Sequence, residues 1–195
     1  MCNPEDGLRM KGEIIMERKN STMHIRYMIL ASLFAAMIYI LTAVVHIPTQ
    51  QGYVHIGDGA IYLAASLLPA PYAVAAAAIG AGLSDYLSGF ALWVLPTAVI
   101  KALTVLSFSS DRSRIICKRN LFGLIPAAVI CVGGYYLSGS LLYGSFIASL
   151  ADIPGNVTQS VMSSALYIFL GCALDKMSIK STWGMFSPAV KSKRK

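Results

Sequence analysis

Apolar residues gather in long tracts along the chain, and short polar stretches separate them. The first tract, "YMILASLFAAMIYILTAVV" (27–45), has 19 residues and no charge, about the length needed to cross a hydrocarbon core of ~30 Å. A polar loop follows, "HIPTQQGYVHIGDG". The second tract, "AIYLAASLLP", is short and is broken by Pro69 and Pro71, so it predicts a helix that starts earlier, near Ile56, or one that neighbours shelter. The third, "YAVAAAAIGAGLSDYL", consists largely of small residues, and the fourth is "ALWVLPTAVIKALTVLSF". The fifth is "LFGLIPAAVICVGGYYL" and the sixth "VTQSVMSSALYIFLGCAL", with a polar, partly apolar loop between them. Pro96 denies a carbonyl near Leu92 its usual donor, which predicts a bend in the fourth helix.

Composition agrees with the pattern. Only 13% of residues are charged and the mean hydropathy is +0.63, far from an ordinary soluble domain. The net charge of +7 is positional. Arg9, Lys11, Arg18, Lys19 and Arg26 precede the first tract. Arg112, Arg114, Lys118 and Arg119 sit between the fourth and fifth, and Lys176, Lys180, Lys191, Lys193, Arg194 and Lys195 follow the sixth. Every other Lys or Arg is absent except Lys101. By the positive-inside rule these three segments face the cytoplasm. The expectation is an all-α integral membrane protein, a compact bundle of six transmembrane helices with both termini cytoplasmic. Residues 1–26 form a polar N-terminal segment, 27–175 the bundle and 176–195 a basic tail. The charge is thus explained by topology, with no nucleic-acid partner.

Several chemistries lack their parts. There is no G-x-x-x-x-G-K-[ST] loop for nucleotide phosphates. His24, His46 and His55 all come early, so "GAGLSDYLSG" has no later histidine base for an intramembrane serine protease. Cys2, Cys117, Cys131 and Cys172 form no C-x-x-C pair, which argues against thiol redox, a disulfide framework and a metal site. No cofactor is called for.

Polar and aromatic residues collect at one end of the bundle. Gln51, Tyr53 and His55 lie in the first loop, Asp85 and Tyr86 end the third tract, Trp93 and Thr97 open the fourth, and Asn156 and Gln159 lead into the sixth. Flat rings with amides and carboxylates suit a small planar polar molecule. Interfacial belts explain Tyr and Trp equally well, and helix capping explains Asn156 and Gln159. Lys101, alone in an apolar run, either snorkels toward headgroups or meets a partner within the bundle or beside the ligand. Ala31 and Ala35, four apart, form a small-residue helix face that admits another helix closely, inside the bundle or on a partner.

The stretch "YVHIGDGAIYLAASLLPAPYAVAAAAIGAGLSDYLSGFALWVLPTAVIKAL", with "IPGNVTQ" before the last helix, resembles the S components of energy-coupling-factor (ECF) vitamin transporters. It is closest to the riboflavin and hydroxymethylpyrimidine group, and the likeness spans roughly residues 27–175. The resemblance implies a plasma-membrane substrate-binding subunit of a bacterial importer that is no enzyme itself. It implies a transmembrane T subunit and two cytosolic ATPases as partners, and a vitamin bound near the outer face. It implies docking on the T subunit through Ala31 and Ala35, and a lysine at position 101 in a bundle role. A stand-alone carrier or channel is the competing class, and an integral-membrane enzyme a third.

Overall fold

The computed structural model describes residues 4–49 and 52–182. It is helical apart from one hairpin. Helix α1 (Pro4–Ala43) is followed by β1 (His46–Thr49) and β2 (Gly52–His55), then α2 (Gly57–Leu67), α3 (Ala70–Leu87), α4 (Val94–Val105) and α5 (Lys118–Tyr143). A short α6 (Phe146–Ser149) leads to α7 (Ile153–Lys176) and a final turn, α8 (Ile179–Thr182).

Three segments are long and apolar enough to cross a membrane: Asn20–Ala43, Lys118–Tyr143 and Phe146–Lys176. The helix α4, with the 3-10 turn before it, is apolar but shorter. The chain is packed inside out relative to a soluble domain. Along α3, Ala73, Ala76, Ala77, Gly80 and Ala81 face inward, while Ile79 and Leu83 are exposed. Leu95, Val129, Leu141 and Phe169 likewise point outward. Large apolar side chains on the periphery and small ones at helix contacts are what a lipid solvent selects.

The short second tract forms α2, and all eleven of its residues are buried. It is therefore sheltered by neighbours, as its length requires, and it starts at Gly57. Pro69 caps α3 and Pro71 sits in its first turn, where a missing N–H costs nothing. At its other end α3 closes in a Schellman motif: Gly89 has φ 87°, its N–H donates to the Tyr86 carbonyl, and the Phe90 N–H donates to the Asp85 carbonyl. That turn fixes Asp85 and Phe90 beside one another.

Two expectations need correction. The first polar loop contains the hairpin, whose register pairs His46 with His55, Ile47 with Val54, Pro48 with Tyr53 and Thr49 with Gly52. Pro96 does not bend a longer helix. A 3-10 turn over Ala91–Trp93 passes into α4 at Val94, so Pro96 occupies the first turn, where the backbone N–H would be unpaired anyway. Lys180 is buried and donates to the Ser110 and Arg112 carbonyls.

The end of the bundle remote from the hairpin is locked by polar and aromatic contacts. The Tyr62 and Phe108 rings stack at 4.9 Å, and the Tyr167 hydroxyl bonds Ser66 and the Ile115 carbonyl. The carboxylate of Asp175 accepts the Ile115 and Ile116 N–H groups. At the centre, α1 and α3 approach so closely that a Cβ on Gly80 would lie 2.6 Å from the Ala35 carbonyl oxygen. Gly80→Val should therefore push the helices apart and destabilise the detergent-solubilised protein by about 1–3 kcal/mol, read as a lower melting temperature, whereas Gly133→Ala, at a position with open space around it, should leave it nearly unchanged.

Candidate functional site

A cavity of about 290 Å³ opens at the hairpin end. Its walls come from β2 (Tyr53, Val54, His55), the end of α3 (Asp85, Phe90), α4 and the turn before it (Trp93, Thr97), and α5 (Tyr135). The α6–α7 connection and the start of α7 supply Ala151, Asp152, Gly155, Asn156 and Gln159. The aromatic residues form a partial ring: Tyr53 contacts Phe90 at 5.4 Å between centroids, and Trp93 contacts Tyr135 at 5.8 Å.

The hairpin is tied across the mouth by one strong contact. The Tyr53 hydroxyl donates to Asp85 Oδ1 at 2.7 Å. Burial, and then the neighbouring Asp85 charge, push the Tyr53 phenol above its ordinary range, so it stays protonated and remains the donor. His55, two residues on along the strand, accepts the Gly57 N–H on Nδ1 at 3.1 Å and so caps α2. Gly57 itself must be glycine, because a Cβ there would lie 2.1 Å from Thr42 Oγ1.

Beneath the cavity lies a buried ion pair. Lys101 Nζ is 2.7 Å from Asp58 Oδ1 and 2.9 Å from Oδ2, with both side chains essentially inaccessible to solvent. Asp58 sits in the first turn of α2, where the helix dipole favours a carboxylate. Gln159 Nε2 donates to Asp58 Oδ2 at 3.0 Å. The Cys131 thiol lies 3.6 Å from Lys101 and 3.7 Å from Asp58, and the Tyr135 ring covers the ammonium at 4.9 Å. One cluster thus joins α2, α4, α5 and α7.

The structure brings Tyr53, His55, Asp85, Trp93, Thr97, Asn156 and Gln159 to the cavity wall. Tyr86 points away and is 64% exposed, because one residue along a helix turns the side chain by about 100°. Gln51 lies outside the described residues. Lys101 does not snorkel: it is buried against Asp58, and the cavity-lining Tyr135 and Gln159 stand between that pair and the cavity. Ala31 is buried against the core and Ala35 packs on Gly80, so that face of α1 is turned toward α3. Phe90 and Tyr135, which the sequence places at the same end of the bundle, also line the cavity, while Asp58 and Asp152 are the residues there that sequence reasoning did not single out. Asp58 had a usable signal, since a lysine in an apolar helix requires a carboxylate and few acids lie within the apolar part of the chain.

A bundle with three membrane-length helices and an aromatic-walled cavity at one end has the build of a membrane-embedded protein with room for a small molecule. Comparison with known proteins narrows the class. The family described as ECF-type riboflavin transporter, S component, matches residues 22–176, and the chain belongs to that family. S components are substrate-binding subunits of transporters and not enzymes. A protein of Pyrococcus woesei described as "Uncharacterized protein in gap 3'region" is 31% identical over 133 residues, 67% of this chain and 87% of that one.

Removing one partner of the buried pair leaves the other charge uncompensated. Lys101→Met should cost about 3–5 kcal/mol of stability, and the double change Lys101→Met/Asp58→Leu should recover most of it. Thermal unfolding of the purified variants reads both effects, and equal instability of the single and double variants would refute the pairing.

Proposed function

We propose that this chain is the substrate-binding subunit of an ECF-type importer in a bacterial plasma membrane, and that it captures riboflavin or a closely similar heteroaromatic vitamin at the outer face. The substrate site is the cavity between the hairpin and the starts of α4 and α7. The observation that carries this reading is the cavity's lining: Tyr53, Phe90, Trp93 and Tyr135 offer ring faces, while Asp85, Asn156 and Gln159 offer directional hydrogen bonds. A planar heterocycle needs both. Gln51, which lies outside the described residues, belongs to the same proposed site.

The chain is read as six membrane crossings with both termini in the cytoplasm. The three long helices supply the crossings that stand alone, and the shorter α2, α3 and α4 cross within their shelter. The placement of the basic residues supports this orientation. Transport then depends on a T subunit and two cytosolic ATPases, because the sequence carries no P-loop. We assign docking on the T subunit to the small-residue strip of α1. Ala31 and Ala35 set the closeness of α1 to α3, and Ser32 and Ala36, both exposed, supply the open part of the strip. The Ser32 hydroxyl is already bonded to the Met28 carbonyl at 3.0 Å, so it presents little unmet polarity to a partner helix.

The test is gentle solubilisation of native membranes and identification by mass spectrometry of what a C-terminally tagged chain retains. Recovery of a T subunit, two ATPases and a flavin-like heterocycle is expected. Ser32→Leu/Ala36→Leu should abolish recovery of the T subunit and leave the heterocycle in place. Uptake into liposomes by the isolated chain would instead assign a stand-alone carrier.

A further inference from the structure

The facing sides of α2 and α7 carry a ladder of polar side chains. Asp58, Tyr62 and Ser66 recur every fourth residue along α2, and Gln159, Ser163 and Tyr167 do so along α7. All six are buried, and residues four apart share one helix face. The outer rung is closed, because Gln159 donates to Asp58 at 3.0 Å. The inner rung is closed too, because Ser66 and Tyr167 share a hydrogen bond of 2.9 Å. Both rungs join residues 101 apart in the chain. The two helices therefore run parallel in constant register, and the same offset pairs Tyr62 with Ser163. Four residues along a helix set this middle rung about 6 Å from each of the others.

The middle rung is open. The Tyr62 hydroxyl and Ser163 Oγ are both buried and have no hydrogen-bond partner among the described residues. The Tyr62 ring is held by the Phe108 ring, stacked at 4.9 Å, and by the Tyr167 ring, edge-on at 6.0 Å, so its hydroxyl cannot swing to a new partner. On α7, Thr158, Ser160 and Ser164 each return the hydroxyl to the carbonyl four residues back, a bond open to any helical Ser or Thr. Ser163 makes no such bond. It stands where the two helices touch: a Cβ on Gly59 would lie 3.0 Å from the Ser163 carbonyl oxygen. Two buried hydroxyls at one rung, both unpaired, call for a shared partner.

We propose that the middle rung is a binding site for one water molecule, which bridges the Tyr62 and Ser163 hydroxyls. The chemistry selects water. Asp58 is paired with Lys101, so the ladder carries no net charge to hold an ion. Each hydroxyl can donate and accept, and a neutral occupant of hydroxyl size that does the same completes both, as internal waters do for buried polar groups. All three rungs then seat α2 on α7, from Gln159 at the cavity wall to the α4–α5 connection, where the Tyr167 hydroxyl and Asn120 meet the Ile115 carbonyl. A helix too short to cross alone is held by polar contacts along its whole length. This inference does not depend on which molecule the cavity takes.

Tyr62→Phe and Ser163→Ala each remove one hydroxyl and almost no volume. In thermal unfolding of the purified full-length chain, each should lower the melting temperature by about 2–4 °C. The double variant should lose less than the sum of the two, because the hydroxyls share one partner. A rise in either single variant, which relief of an unpaired hydroxyl would give, or strictly additive losses, overturns the proposal. A high-resolution crystal structure of the unmodified chain identifies the bridge without any variant. An ordered water within about 3 Å of both hydroxyls is expected. A direct Tyr62–Ser163 hydrogen bond, a dry site or a metal ion at that position overturns it.

Discussion

The rest of the structure depends on the salt bridge between Lys101 and Asp58. Two opposite charges have been taken out of water at a cost of several kcal/mol each, and only close geometry with further hydrogen bonds can offset it. Both oxygens of Asp58 lie within 3 Å of the ammonium. Gln159, Cys131 and the Tyr135 ring complete the shell. Because these residues come from four helices, the pair also fixes how α2, α4, α5 and α7 meet. A hydrophobic contact there would be non-directional, whereas this one allows a single register.

That constraint explains how a polar-lined cavity can stand at one end of a bundle held in lipid. The periphery is made of large apolar side chains and the helix contacts of small ones, so association of the helices relies on close packing. α2 is too short to cross alone, yet every one of its residues is buried. Its N-terminus carries the carboxylate, capped by His55 from the hairpin. The hairpin in turn is tied to α3 through Tyr53 and Asp85. Hydrogen bonds thus tie the hairpin to α2 and to α3 around the cavity, while the far end is closed separately by Tyr62, Phe108, Tyr167 and Asp175.

Much of this was legible from residues alone. Uncharged tracts and the three basic clusters gave the helical membrane class, and the polar segments that were grouped as one end do converge, Tyr53, Asp85, Thr97 and Gln159 among them. What was hidden is what tertiary packing decides. Strands of four residues, one of them containing Pro48, carry too short a pattern to distinguish a hairpin from a loop. Small residues four apart mark a close-packing face of α1, but periodicity cannot say whether α3 or another protein lies against it. Tyr86 and Asp85 look alike in the sequence, and helix rotation sends one outward and the other to the cavity. The partner of Lys101 is 43 residues away, beyond any local pattern.

The central claim is that the cavity above the Lys101–Asp58 pair is where the transported molecule sits. A crystal structure of the full chain bound to riboflavin tests it most directly. The account predicts the ring system between Tyr53, Trp93 and Tyr135, in contact with Gln159, with the Lys101–Asp58 pair unbroken. A flavin bound elsewhere on the bundle, or one that separates Lys101 from Asp58 to make its contacts, would contradict it.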